Sequence, residues 1–183
     1  MSAGDLHDET APPVRASDAP LDQARLLGLV GYNCRRAYIP ILSLFLARLE
    51  PLRLRPVDFS VLVLIAANDR VTQKRLSRAL NVSPPNLAVL LDKLQARKLI
   101  TRVPNPLDRR SQILHLTDHG RDVTGQAEVI VAGVELEATA GLDECERELL
   151  MKLLQRIFRP PSAAAGTIGE GDDGEPATGG SGR

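Results

Sequence analysis

Residues 72–120 read TQKRLSRALNVSPPNLAVLLDKLQARKLITRVPNPLDRRSQILHLTDHG, and the fold class is predicted mainly from these residues. This stretch opens with a short basic segment that Thr72 caps as a helix. Asn81-Val82 then predicts a tight turn. Ser83 at the N-cap position and Pro84 at the first helical position start a second helix. The stretch therefore begins with two short helices joined by a tight turn.

The second half of this stretch predicts a β-hairpin. Two short segments with strand character, 99–104 and 112–116, flank the sequence NPLDRRS. Turn-forming residues and the adjacent Arg109 and Arg110 make that connection a loop with a charged tip. A helix about 10–12 Å across fits the major groove of DNA, and a hairpin beside it can place arginines against the minor groove. Two helices, a tight turn and a basic hairpin in this order predict a winged helix-turn-helix lobe.

Helical segments also precede the two short helices. Over 22–50, apolar residues recur at spacings of three, four and seven, which predicts a long helix. Pro40 lies inside it and removes a backbone donor, so we expect a kink there. A second helix over about 56–68 is apolar almost all round, as a central buried helix is.

Further helices follow the hairpin. Thr117 caps one that runs to about residue 140. Asp143 and Glu146 predict a capping box for a last helix over 144–158. The predicted fold class is therefore mainly α with a small two- to three-stranded β wing.

Charge is distributed unevenly along the chain, although the formal net charge is zero. Residues 1–20 and 161–183 together carry −6, whereas residues 70–121 hold eleven Lys and Arg against three Asp, a local charge of +8. A basic middle between acidic ends is typical of a module that binds phosphates. Aromatic residues make up only 3% of the chain, which disfavours a stacking platform for single strands and favours double-stranded DNA as the partner.

Catalytic, metal-binding and membrane functions find little support in the residues. The sequence has no phosphate loop, no G-x-S-x-G motif and no His/Cys cluster at metal-ligand spacing, so we predict no catalytic residue, cofactor or metal ion. Two cysteines, Cys34 and Cys145, fit a reducing compartment. No signal-peptide core and no apolar run near the length of a membrane span are visible, from which we expect a cytoplasmic protein.

Two short motifs follow the second helix of the lobe. They are D-x-R-S, here Asp108-Arg109-Arg110-Ser111, and L-T-x-x-G, here residues 116–120. With the rest of residues 60–121, they resemble the MarR family of bacterial transcription regulators, and with the flanking helices the resemblance covers about 22–159. It implies a homodimer whose first and last two helices intertwine and carry two lobes to a pseudo-palindromic site. It also implies a recognition helix at 83–97, with Arg110 reaching the minor groove and Asp108 orienting the wing.

The resemblance and the composition together divide the chain into five segments. They are a disordered N-terminal arm (1–20), a dimerisation helix (21–50), the winged helix-turn-helix lobe (51–121), two dimerisation helices (122–159) and a disordered acidic Gly-rich tail (160–183). Both arms are assigned from composition, because neither can form a core.

The predicted DNA contacts come from the first short helix, the recognition helix and the wing. They are Thr72, Lys74, Arg75, Ser83, Pro85, Asn86, Ala88, Val89, Lys93, Asp108, Arg109, Arg110 and Ser111. Solvent-facing positions of the recognition helix are typically Ser, Thr or Arg in the family, but here only Asn86 can form a bidentate bond, which suits adenine. Pro85, Ala88 and Val89 could touch thymine methyl groups. We therefore expect thin base readout, with phosphate contacts and groove shape supplying more of the binding, or an Asn86 that only supports the helix start.

Small phenolic or aromatic ligands commonly bind MarR-family proteins between the dimer helices and the lobe, and they weaken DNA binding. The corresponding predicted ligand residues are Tyr32, Arg35, Arg36, Tyr38 and Phe59. An arginine there could pair with an aromatic carboxylate or with a phosphate of an aromatic acyl-CoA. Ion pairs between subunits are the alternative explanation for these arginines. The predicted function is a ligand-responsive repressor, released from its operator by a small aromatic acid, a phenol or a related acyl-CoA.

Two other functions stay open at this point. A winged helix used only for protein contact would be poor in cations, whereas the wing carries Arg109 and Arg110. A redox-sensing regulator would use Cys34 on the first helix, as one branch of the family does with a cysteine there. The reactive position of that branch falls on Gly28, so a partly buried structural cysteine is the favoured interpretation.

Overall fold

The computed structural model describes residues 20–158, apart from the side chain of Arg109. Its elements in chain order are α1 (Ala24–Leu27), α2 (Val30–Leu49), a 3₁₀ turn (Glu50–Leu52), α3 (Pro56–Ala66), β1 (Val71–Thr72), α4 (Gln73–Leu80), α5 (Pro84–Ala96), β2 (Ile100–Asn105), β3 (Asp108–Leu116), α6 (Asp118–Ala138) and α7 (Glu144–Phe158). The chain divides into one compact unit that ends at Ala138 and another that begins at Thr139. The predicted disordered arm and tail lie outside the described residues, except for Pro20.

The predicted first helix is interrupted near its start. Between α1 and α2, Leu29 adopts an extended conformation with φ −102° and ψ 124°. The Asn33 side-chain amide donates to the Leu27 and Leu29 carbonyl oxygens at 2.7 and 2.8 Å, and thereby satisfies two carbonyls near the break. The prediction of one helix over 22–50 was therefore wrong at its N-terminal end. α2 continues through Pro40, and a kink at that residue stays a prediction.

Aliphatic side chains from helices and sheet form the core of the first unit, with α3 at its centre. As predicted, α3 is surrounded: none of the residues from Pro56 to Ile65 is exposed. α2 contributes mainly its C-terminal end, where Phe45 and Leu49 are buried. A fully buried aliphatic side chain stabilises the fold by about 1.5–3 kcal/mol, so these contacts hold the lobe's elements in place. The largest fully buried side chains are Leu49, Val61, Leu62, Leu76, Leu87, Leu91, Leu94, Leu99, Ile100 and Val134.

The turn between α4 and α5 forms as predicted, with one difference. Thr72 caps α4, because its hydroxyl accepts from the Arg75 amide at 3.4 Å. Asn81 takes the left-handed conformation with φ 51°, and the Ser77 hydroxyl donates to the Val82 carbonyl at 2.7 Å to close the turn. Ser83 occupies the N-cap position of α5, but its side chain makes no capping hydrogen bond there.

The wing hairpin is tighter than predicted. β3 pairs with both neighbours in an antiparallel sheet of order β1-β3-β2. Asn105 pairs with Asp108 after a register shift at Pro104, so β3 begins at Asp108 and only two residues form the tip. The predicted loop over NPLDRRS was therefore too long. The backbone of Arg109 and Arg110 belongs to the strand.

The L-T-x-x-G motif joins the wing to α6. The Thr117 hydroxyl accepts from the Gly120 amide at 2.9 Å, which confirms the predicted cap, and the Thr117 amide donates to the Leu99 carbonyl at 3.1 Å. A Cβ atom on Gly120 would lie 1.9 Å from the Leu99 carbonyl oxygen, so only glycine fits. The motif is thus a packing joint that fixes the hairpin against the start of α6.

In the second unit, the predicted capping box at the start of α7 is confirmed. The Asp143 amide donates to the Glu146 carboxylate at 2.9 Å, and the Glu146 amide donates to the Asp143 carboxylate at 2.8 Å.

Candidate nucleic-acid interface

A cleft of about 890 Å³ lies between α4, the start of α5 and the wing; we call it the wing cleft. Five of the predicted DNA-binding residues line it: Thr72, Lys74, Asp108, Arg110 and Ser111. These residues come from two separate parts of the lobe, and tertiary packing brings them to one surface. The wing cleft is open and most of its lining residues are polar or charged, which suits an extended charged partner.

A hydrogen-bond network holds the D-x-R-S turn. The Asp108 carboxylate accepts from the backbone amide of Arg110 at 3.0 Å, and the Ser111 hydroxyl donates to the Asp108 carbonyl at 3.1 Å. The Asn105 side-chain NH₂ group donates to the Ser111 hydroxyl at 2.9 Å, and the side-chain oxygen Oδ1 of Asn105 accepts from the Leu107 backbone amide at 3.1 Å. Asp108 and Ser111 therefore shape the hairpin tip and present Arg110, whose own side chain stays exposed.

Sequence reasoning missed two cations of the wing cleft, Arg78 and Arg102. Arg78 is exposed one turn after Lys74 on α4, and this spacing of four residues was the signal that could have revealed it. Arg102 on β2 forms an ion pair of 2.6 Å with Asp92 of α5. That pair neutralises an acidic group on the exposed side of the predicted recognition helix, and no pattern in the sequence joins the two residues.

Arg75 has a structural contact in addition to its predicted role. Its guanidinium donates to the carbonyl oxygens of Asp69 and Arg70 at 2.7 and 3.0 Å. These bonds hold the loop before β1, so part of the donor capacity of Arg75 is already used. Its DNA contact stays a prediction.

The predicted recognition helix α5 presents its remaining site residues on two sides. Pro85 is exposed and Ala88 half-buried. Asn86, Val89 and Lys93 line a second cleft of about 690 Å³ between α5 and the start of α3. The structure thus places Asn86 away from the wing cleft, on the α3 side of the helix.

The predicted ligand residues are not gathered into one site by the single chain. Tyr32 donates its hydroxyl to Gln23 at 2.7 Å, while Arg35, Arg36 and Tyr38 are exposed on α2. Phe59 packs edge-on against Phe45 with ring centroids 5.9 Å apart. At 1.5 Å per residue, Tyr32 and Phe45 lie about 20 Å apart along α2. A single ligand that contacts both Tyr32 and Phe59 of one chain would therefore have these side chains at its opposite ends.

Cys34 and Cys145 are free and exposed, so the expectation of a partly buried Cys34 was wrong for the single chain. Among residues 20–158, no group of three His, Cys, Asp or Glu side chains could hold a metal ion. None of the helices described there has the length and apolar character needed to cross a membrane.

Comparison with known proteins agrees with this architecture. A model of the MarR family matches residues 54–111. A solved structure of the transcriptional repressor CouR bound to a 23-mer DNA duplex is 37% identical, with a TM-score of 0.73 over 77% of this chain and 100% of that one. The chain belongs to the MarR family. It is therefore a DNA-binding transcription regulator and not an enzyme.

Two further similarities concern ligands and regulated genes. A structure of CouR bound to p-coumaroyl-CoA is 34% identical, with a TM-score of 0.70 over 77% of this chain and 99% of that one. A protein of Thauera aromatica, described as a transcriptional regulatory protein for the hcr operon, is 27% identical over 86% of this chain and 96% of its own length. MarR-family relatives thus include both DNA-bound and ligand-bound forms.

Proposed function

We propose that this MarR-family regulator is a homodimeric repressor that binds a pseudo-palindromic operator and is released by an aromatic effector. The observation that carries the DNA-binding part is the wing cleft. There, Lys74, Arg78 and Arg110 line one surface, and Asp108 holds the backbone of the wing arginine. Cations that share one surface can contact several phosphate oxygens of a duplex together, which is what a groove-binding lobe needs.

Exposed apolar side chains support the homodimer. On α7, Leu149, Leu153 and Ile157 recur every four residues and are 56%, 46% and 63% exposed in the single chain. On α1 and α2, Leu27 and Val30 are 58% and 66% exposed. Contiguous apolar stripes of this kind mark association surfaces, and their burial stabilises a complex by about 25 cal/mol per Å². A two-fold axis would set two recognition helices about one DNA turn, roughly 34 Å, apart.

The positions of the predicted ligand residues favour an acyl-CoA over a small acid as the effector. Arg35 and Arg36 are exposed near one end of α2, and the aromatic pair Phe45 and Phe59 lies near the other. An aromatic acyl-CoA has phosphates at one end and an aromatic group at the other, so one extended molecule can reach both. A small aromatic carboxylate or a phenol is too short to do so within one chain.

The test begins with selection of bound duplexes from a random pool. Release of the selected duplex is then measured with three probes: p-coumaroyl-CoA, free p-coumarate and CoA alone. We expect release by the thioester only, and weaker release from the Arg35→Gln/Arg36→Gln variant than from the matched surface control Lys152→Gln. Release by the free acid alone would assign a carboxylate effector instead. If none of these three probes and no phenol releases the duplex, the ligand-responsive part of the proposal is contradicted.

A further inference from the structure

The cleft between α5 and the start of α3, which we call the shoulder cleft, is rich in cations. Arg53, Arg55, Lys93 and Arg97 line it, together with Asp58 as its single acidic residue. The shoulder cleft and the wing cleft have no lining residue in common. Two separate basic surfaces therefore border α5.

Helix geometry puts these surfaces on opposite sides of α5. Pro84 and Leu91 line the wing cleft and are seven residues apart, nearly two full turns, so they share one side of the helix. Asn86 and Lys93 line the shoulder cleft with the same separation and share another side. Each pair is offset from the other by two residues, which is about 200° around the helix axis.

Three of the four cations that line the shoulder cleft are available to bind an anion. Arg97 is used structurally, because its guanidinium donates to the Leu52 and Arg53 carbonyl oxygens at 2.7 and 2.9 Å and fixes the segment before α3. The Asp58 carboxylate accepts from the Arg55 backbone amide at 2.9 Å. Arg53, Arg55 and Lys93 are exposed, and within residues 20–158 none of them forms an ion pair.

The ridge of α5 between the two clefts has a different character. Pro85 is exposed there without any charge, as is Val89 at the edge of the shoulder cleft, and the carboxylate of Asp92 is paired with Arg102. Cations thus flank a nearly neutral ridge on both sides. In B-DNA, the major groove is about 12 Å wide and has a phosphate strand along each rim. A helix lying in that groove turns its ridge and its N-terminal residues, here including Asn86, to the bases. The flanks further along the helix face the two strands.

We propose that Arg53, Arg55 and Lys93 form a second phosphate-binding surface, which holds the DNA strand on the groove rim opposite to the one at the wing cleft. This inference rests on the proposed function, in that it requires α5 to enter the major groove. The partner is the sugar–phosphate backbone of duplex DNA, which Arg and Lys contact independently of sequence. Binding from both flanks would hold the helix at a fixed depth, so that its apolar ridge can follow groove shape.

The test is the salt dependence of DNA binding by an Arg55→Gln/Lys93→Gln variant. Arg53 is left intact, because its φ of 49° and its carbonyl bond to Arg97 make it part of the local backbone structure. Each lost phosphate contact lowers the slope of log affinity against log salt by about 0.9, so the dimer should lose roughly 3 to 4 units. Affinity should fall equally on the selected duplex and on a scrambled one, with base preferences unchanged. Arg25→Gln, an exposed cation of α1 that lines neither cleft, is the control and should keep the wild-type slope.

The possible outcomes separate this inference from the function on which it rests. Wild-type protein with no salt-dependent duplex binding would refute DNA binding through α5 altogether. Wild-type protein with a steep slope that the folded double variant retains would refute the shoulder cleft alone. If the slope is unchanged and the variant no longer binds p-coumaroyl-CoA, these cations bind the effector and not DNA. If the slope is unchanged and the base preference is altered, Lys93 takes part in base readout. Thermal melting of the variant checks that it is folded.

Discussion

Two predicted DNA contacts, Arg110 and Asn86, lie on different elements and on different sides of α5. Arg110 is held at the hairpin by Asp108, and Asn86 lies in the first turn of α5 beside the shoulder cleft. An arginine in the minor groove senses groove width, whereas a bidentate amide reads one adenine. The two side chains should therefore act on different components of binding.

Arg110→Ala is expected to weaken binding to every duplex with a suitably narrow minor groove and to leave base preferences intact. Asn86→Ala should instead relax the preference at one position per half-site, by about 1–3 kcal/mol. The effects of the two substitutions on affinity should be nearly additive, because the residues share no partner. Affinities of both single variants and the double variant are measured on the selected duplex and on a set with each base pair changed.

The result for each residue stands by itself. If Asn86→Ala leaves the base preferences unaltered, the remaining role of Asn86 is to support the start of the helix. Wild-type affinity in Arg110→Ala would show that the wing does not contact DNA.

At the scale of elements, the function of the wing depends on how the hairpin is joined to α6. Thr117 bonds to Leu99 and to Gly120, and the buried hydroxyl of Thr124 donates to the Gly120 carbonyl at 2.7 Å. At Gly120, α6 approaches the backbone of Leu99 so closely that no Cβ atom fits between them. The hairpin therefore has little freedom to move relative to α6.

Gly120→Ala is expected to destabilise the protein by about 3 kcal/mol, at the upper end for overpacking, because the added Cβ meets backbone atoms that cannot rotate away. Gly125→Ala, five residues later on the same helix, has open space around the new methyl group and should stabilise by about 0.5–1 kcal/mol. Denaturant unfolding of both variants measures the difference. If both substitutions change the free energy of unfolding equally, the backbone near Leu99 accommodates the added methyl group at no cost, which contradicts the prediction.

For the whole molecule, the proposed dimer explains why so many apolar side chains of a single chain face solvent. Leu153 lies in the middle of the apolar stripe of α7. Gln155, two residues later on the same helix, is also exposed and is polar. The proposed two-fold interface would cover Leu153 and leave Gln155 exposed.

Leu153→Asp should shift the protein toward monomer, because each carboxylate buried in an apolar interface costs about 3 kcal/mol and a two-fold dimer buries two of them. The dimer dissociation constant should therefore rise by a factor on the order of 10⁴. Gln155→Asp adds the same charge and should leave the dimer intact. Sedimentation equilibrium at several concentrations distinguishes the two variants. A monomeric wild-type protein, or dimers of equal strength in both variants, would contradict the proposed interface.

The sequence by itself determined the features that depend on nearby residues. The Thr72 cap, the turn at Asn81 and the Asp143–Glu146 capping box each involve hydrogen bonds between residues at most a few positions apart, so local residue types are enough to predict them. The lobe's order of helices, turn and hairpin followed from such signals. The motifs of the wing were visible for the same reason.

Only the tertiary structure decided how distant segments meet. The Arg97 guanidinium at the end of α5 donates to the Leu52 and Arg53 carbonyl oxygens, which precede it by 45 and 44 residues in the chain. The shoulder cleft brings Arg55 from the start of α3 beside Lys93 of α5, which no local spacing indicates. Burial of the leucines of α5 against the core fixes the rotation of that helix, and this rotation determines which side chains face the wing and which face α3.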